Sequence, residues 1–215
     1  MAEPYYEDAL STLLQTLKFP QIPNRDGEPG DWVYTRRREM QEILPGLYLG
    51  PYAAATKSKL PVLLEHGITH ILCITQAPEA ALIKPNFPDR FQYLVLDIAD
   101  NAMENIIRHL PTVKNFIDAC LQAGGRVLVH GNAGISRSAA LVIGYLMETY
   151  GLRYRTAYHY VQERRFCISV NDGFASQLKA YESIFTARIQ MQQNASENLQ
   201  LGTKRPLEEE EMEPD

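Results

Sequence analysis

From Ile43 onward, short runs rich in aliphatic and β-branched residues alternate with stretches of helical periodicity, and this alternation limits the fold more than any other feature of the chain. LYLG precedes a helical pattern over 53–66; THILCIT and QYLVLDI precede one over 103–122; RVLVH precedes one over 136–150. Strands joined through helices must cross over. The pattern therefore predicts an α/β domain with a mainly parallel central sheet flanked by helices on both faces. In RVLVH, Val127, Leu128 and Val129 form a continuous apolar run, as expected of a central strand buried on both sides. Further helices are expected over 153–165 and 171–190, with Gly151 ending the helix before them.

Three segments are expected: an N-terminal helix and loop over 1–30, the α/β domain over 31–190, and a disordered acidic tail over 191–215. Leu10, Leu13, Leu14 and Leu17 lie at helical spacing. Residues 19–30 carry three prolines and two glycines and read as a loop. The tail loses apolar periodicity, and from Lys204 it holds two bases and six acids, which takes most of the net charge of −5 and leaves the rest close to neutral. A near-neutral body has no clustered basic surface for nucleic acid. Arg36, Arg37 and Arg38 form a basic run too short to change that, and read as a solvated face.

No apolar run reaches the roughly 18 residues of a membrane span, and the amino end carries acids where a signal peptide carries bases. Three widely spaced cysteines, Cys73, Cys120 and Cys167, form neither a disulfide framework nor a zinc pattern. The expectation is a protein of the cytosol or nucleus, a monomer without metal or cofactor.

The residues after the central strand carry the chemistry. His130, Gly131, Asn132, Ala133, Gly134, Ile135, Ser136, Arg137 and Ser138 lead directly into the apolar helix AALVIGYLMETY. A helix amino terminus presents unpaired amides and a partial positive charge, and a loop curled around it aims further amides at one centre. Gly134 allows the curl, and Arg137 supplies a planar, always-charged fork for two oxygens of one anion. The expected ligand is a tetrahedral dianion. A nucleotide-binding G-x-x-x-x-G-K-[ST] loop does not fit, since both the glycine spacing and the lysine are missing.

This segment resembles the His-Cys-x-x-Gly-x-x-Arg-Ser signature of cysteine-based dual-specificity protein phosphatases, matching it at His130, Gly134, Arg137 and Ser138 and departing from it at Gly131. The resemblance extends over about 43–185 through LPGLYLG, HGITHILCIT, YLVLDIAD and ERRFCISVNDGF. It implies that the amides of residues 132–137 and the Arg137 guanidinium hold a phosphoryl group, that Asp100 stands where the general acid would, and that Ser138 and His130 stand where they would support the thiolate. A helix cap is a second role open to Asp100. For His130, which has no thiolate to serve, a buried structural role is expected.

Glycine cannot attack phosphorus, so Gly131 removes the nucleophile. Cys73 and Cys120 read as packed thiols, and Cys167 lies outside the cradle by sequence. An inactive phosphatase relative is the result. Two unit charges about 4 Å apart repel by roughly 4 kcal/mol at an effective dielectric near 20, so losing a thiolate favours retention of a phosphate dianion; the added freedom of glycine opposes it by about 0.5–1 kcal/mol. The resemblance implies an adaptor, anchor or competitor of active phosphatases that binds phosphorylated signalling proteins, MAP kinases among them. Two alternatives stay open: a scaffold that uses its outer surface without phosphate, and a residual phosphatase using water or Cys167.

Overall fold

The computed structural model describes residues 19–23 and 32–202. The N-terminal helix expected from Leu10, Leu13, Leu14 and Leu17, most of the loop after it and the last stretch of the tail lie outside the described residues. Contacts divide the chain into two units. The one carrying the sheet is Phe19–Glu182; the described part of the other is residues 183–202.

Five strands, β1 (Gln41–Leu44), β2 (Leu47–Pro51), β3 (His70–Thr75), β4 (Gln92–Asp97) and β5 (Val127–Gly131), form one sheet in the order β1-β2-β5-β3-β4. Strand β5 is central and pairs parallel with both β2 and β3; β4 pairs parallel with β3, and β1 alone is antiparallel. The mainly parallel sheet is thus as expected, with one added edge strand. That strand follows from Pro45-Gly46, a tight turn in which Gly46 takes φ 83°.

Alternation along the strands sorts the core. Tyr48, Ile71 and Leu128 cluster on one face with Leu63 of α1 (Leu60–Glu65), while Leu47, Leu49, Val127 and Val129 point the other way. The helix α3 (Arg137–Tyr150) packs on β2 and β5. Twelve of its residues are buried, which explains its lack of a polar face. Gly151 ends α3 in the left-handed conformation, φ 65°.

Two helices begin later than their periodicity predicts. Over 53–66 the chain makes two short 3-10 turns, Tyr52–Ala55 and Lys57–Lys59, before α1, because Thr56 is extended and turns its hydroxyl back to the Ala53 carbonyl. Over 103–122 the helix α2 is only Leu110–Gln122. Both α1 and α2 carry a proline in their first turn; an earlier start would put it in the helix interior, where it removes a hydrogen bond. Helix α4 (Tyr154–Arg164) matches expectation. The last helix, α5 (Asp172–Gly202), instead runs past residue 190 into the stretch expected to be disordered, since Gln, Met, Ala, Glu and Leu favour helix and no glycine or proline lies between Gly173 in its first turn and Gly202.

An anion cradle without a nucleophile

Strand β5 delivers His130 and Gly131 to the sheet's carboxyl edge, and residues 132–136 curl from there into α3, whose N-cap is Ser136. The curl requires glycine at 134. Its φ is 68°, and a Cβ there would lie 2.3 Å from the Gly50 carbonyl oxygen on β2.

The carbonyls of this loop all face away from its centre. Asn132 O accepts from Tyr52 N at 3.0 Å, Ile135 O from Ser169 N at 3.0 Å, and Ser136 O from Ala140 N at 2.8 Å. Ala133 O and Gly134 O accept from Arg165 at 3.0 and 2.8 Å. Among the described residues, no backbone amide of 132–136 donates within the protein. Peptide planes with their oxygens tied outward must turn their N–H groups inward, so the concave side is a ring of free donors at a helix start.

Arg165 makes this possible and was not legible from sequence. Its side chain is fully buried, and it also donates to Arg37 O, Glu39 O and the side-chain oxygen of Gln41. Burial lowers its pKa from the ordinary arginine value. Among the described residues no carboxylate pairs with it, so its donors are spent on carbonyl dipoles.

Arg137 is 5% exposed and points into the same cavity, which is about 300 Å³ and is lined by residues 131–138 with Gln76, Glu79 and Asp100. Its two terminal nitrogens grip Glu79: Nη1 donates to Oε2 at 2.8 Å and Nη2 to Oε1 at 3.1 Å. Nη1 also donates to Ile98 O at 3.2 Å. This leaves Nε and one Nη2 hydrogen, the side edge of the fork, for a ligand. Glu79 accepts as well from Asn132 Nδ2 at 3.0 Å. The sequence reading assigned no role to Glu79.

Asp100 stands at the cradle's edge, its Oδ2 3.8 Å from Arg137 Nε. It is not the cap of the following segment; Asn101 Oδ1 accepts the amides of Met103 and Glu104 instead. Asp100 Oδ1 accepts from Ser136 Oγ at 2.7 Å and from Asn171 Nδ2 at 2.8 Å, which fixes the carboxylate against the loop. Asn171, in the late motif, also caps α5 by accepting the Phe174 amide.

His130 is buried with Nδ1 3.3 Å from Gly131 O, and burial pushes its pKa down to about 4, so it is neutral near pH 7. Gly131, the last residue of β5, is buried and paired with Pro51. No thiol takes the missing place. Cys73 is buried in β3, its thiol pushed up to about 12, and Cys120 is buried in α2 with its pKa also raised by burial. Neither they nor Cys167 line the cavity. Among the described residues, no group of three or more His, Cys, Asp or Glu side chains is placed to hold a metal ion, and no helix is long and apolar enough to cross a membrane.

Comparison with known proteins agrees with this geometry. The dual specificity phosphatase catalytic domain matches residues 47–184. The human serine/threonine/tyrosine-interacting protein is 64% identical over 176 residues, 82% of this chain and 79% of that protein. A Xenopus laevis form, serine/threonine/tyrosine-interacting protein A, is 62% identical over 191 residues, 89% of this chain and 84% of that one. A crystal structure of the human tyrosine phosphatase-like serine/threonine/tyrosine-interacting protein superposes with a TM-score of 0.68 at 70% identity, covering 69% of this chain and 98% of that chain. With a donor-lined loop on the central strand and glycine where the signature has cysteine, the chain belongs to the dual specificity phosphatase family as a member without the nucleophile.

Proposed function

We propose that the protein is a phosphoprotein-binding adaptor whose cradle holds a phosphorylated side chain without hydrolysing it. The observation that carries this reading is the loop itself: carbonyls tied outward, amides left inward, Arg137 at the centre and no nucleophile beneath. Amides held in place before the ligand arrives bind an anion without a reorganisation cost, and the absence of a thiolate removes one like charge from beneath it. The phosphate oxygens are taken by the amides of Asn132, Ala133, Gly134, Ile135 and Ser136, by the Arg137 amide at the start of α3, and by the open edge of its guanidinium. Asp100 and Glu79 set the charge at the mouth.

The partners in this reading are phosphorylated signalling proteins, MAP kinases among them, met by a monomer in the cytosol or nucleus. A relative from Dictyostelium discoideum, 41% identical over 143 residues, is called MAP kinase phosphatase with leucine-rich repeats protein 3. Calorimetric titration of a phosphotyrosine peptide from a MAP kinase activation loop tests the reading. Binding by the wild type that Arg137→Ala abolishes supports it; equal affinity for phosphorylated and unphosphorylated peptide defeats it.

A second reading, docking through the outer surface, draws on one observation. Val33, Tyr34 and Phe166 are exposed, and the Trp32 ring has the Phe166 ring 6.4 Å away and the Arg36 guanidinium carbon 5.8 Å away. Aromatic residues beside arginine are frequent anchors of protein interfaces. Partner binding that survives Arg137→Ala but is lost with Tyr34→Ala and Phe166→Ala supports this reading over the first.

A further inference from the structure

A cavity of about 240 Å³ shares no lining residue with the cradle. One wall is a stripe of α1 and its cap: Lys59, Val62 and His66, spaced three and four positions apart as residues on one helix face are. The other is the stretch that leaves the 3-10 turn Tyr34–Arg38 and enters β1, with Arg38, Glu39 and Met40. Buried Ala54 also lines the cavity, and Met40 packs on the core cluster of Tyr48, Leu63 and Ile71, so part of the lining is apolar and continuous with the core.

The three consecutive arginines have different surroundings. Arg36 lies over the Trp32 ring, the Arg37 carbonyl accepts from Arg165, and Arg38 lines the cavity. Arg38 and Lys59 are both exposed, and among the described residues neither makes a side-chain hydrogen bond or an ion pair. Glu39 lines the cavity too and pairs with neither of them, which leaves two cations against one acid. His66 Nδ1 donates to the Val62 carbonyl at 2.8 Å, so its Nε2 stays available to a ligand.

We infer that this cavity docks an acidic segment of a partner protein, one aliphatic side chain of which enters between α1 and the lead-in to β1 while carboxylates on either side of it meet Arg38 and Lys59. Charge complementarity selects the acids, since both cations are unpaired and reachable from solvent. The apolar lining selects the aliphatic residue: Met40 and Val62 gain from a side chain that displaces water, as the centre of a protein interface does inside its polar rim. The charges stand on long flexible stems, not on a ring of fixed amides. That arrangement suits carboxylates spaced along a peptide better than one concentrated dianion. A recess takes a protruding side chain, whereas a lipid surface is met by a face that projects. The site needs no phosphate and no residue of the cradle, so the two stand or fall separately.

Titration of the full chain with the synthetic peptide EEDLEED at fixed ionic strength, followed through the amide resonances of residues 38–40, 59, 62 and 66, tests the inference. These resonances should shift, and the affinity should fall about five- to tenfold in Arg38→Glu and in Lys59→Glu, each of which turns an attraction into a repulsion. Lys84→Glu makes the same change in net charge at an exposed residue that lines neither cavity, and should leave the affinity within about twofold. The peptide EEDGEED should bind at least about threefold more weakly than EEDLEED, because the aliphatic side chain is gone. All three substituted residues are exposed, so the variants keep the fold. Equal losses in the three variants overturn the inference, as do equal affinities for the two peptides, shifts confined to residues 132–137, or no shift in the wild type. Vesicles containing phosphatidylserine that bind the wild type more tightly than the peptide does, and release Lys59→Glu, overturn it in favour of a membrane surface. The phosphopeptide titration with Arg137→Ala reports on the cradle independently of all these outcomes.

Discussion

The carboxylate of Glu79 meets the guanidinium of Arg137 end-on, through hydrogen bonds of 2.8 and 3.1 Å between residues 58 positions apart. The pair holds the arginine in place and also sets a negative charge beside a site built for an anion. Glu79→Gln keeps an acceptor for the guanidinium and removes the charge. The expected outcome is a phosphotyrosine peptide bound about three- to tenfold more tightly, from relief of one like-charge repulsion across a partly solvated site. Calorimetry decides; weaker binding would mean that the full carboxylate matters more for orienting Arg137 than for opposing the ligand.

Arg165 takes the carbonyls that would otherwise turn into the cradle. Arg165→Lys offers one ammonium group where a planar fork served five oxygens, so several buried carbonyls lose their donor. Urea unfolding should show a loss of about 3 kcal/mol or more. In the fraction that stays folded, phosphate affinity should drop by more than about tenfold, since the amides are no longer pre-aimed. A folded variant with unchanged affinity would contradict the role given to Arg165.

Gly131→Cys restores the atom that the chemistry lacks. The Cβ fits, with its nearest neighbours at 3.7 Å, and Ser138 Oγ is one of them. Slow release of p-nitrophenol from its phosphate ester is expected where the wild type releases none, and Asp100→Asn in the same background should lower the rate about tenfold or more on an ester with a poor leaving group. If the cysteine variant is folded and inert, Asp100 or the loop is not placed for catalysis.

His130 makes stability depend on pH. Its folded pKa of about 4 lies below the 6.5 of an exposed imidazole, so between these values the unfolded chain binds a proton that the folded chain refuses. The sign follows directly: stability falls as pH drops from about 6.5 towards 4, by roughly 3 kcal/mol in all. Urea titrations at pH 7, 5.5 and 4.5 on the wild type and His130→Gln isolate this contribution as the difference in slope. Parallel slopes would mean that His130 already binds a proton in the folded state.

What was legible in the sequence was what is contiguous. The strand RVLVH, the loop from Gly131 to Ser136 and the helix after it are one stretch of chain, and the order of residue types within it specifies the turn, the cradle and Arg137. Glu79 and Arg165 act across 58 and 31 positions, through a carboxylate and a guanidinium that look like ordinary surface charges until the sheet brings them in. Strand β1 was missed because QEIL is short, although Pro45-Gly46 marked its hairpin. The late starts of α1 and α2 were also visible in principle, since proline tolerates only the first turn. Apolar spacing alone hid them.

Strand β5 has no free edge, because β2 and β3 occupy both sides of it. A loop suspended from such a strand cannot be loosened by fraying; the amides of residues 127–131 should be among the last to exchange with solvent, opening only when the whole sheet does. Ligand traffic in and out of the cradle is therefore uncoupled from breathing of the frame that carries it. A phosphate group bound there would meet a surface anchored to the core, and its residence time would be governed by side chains at the mouth.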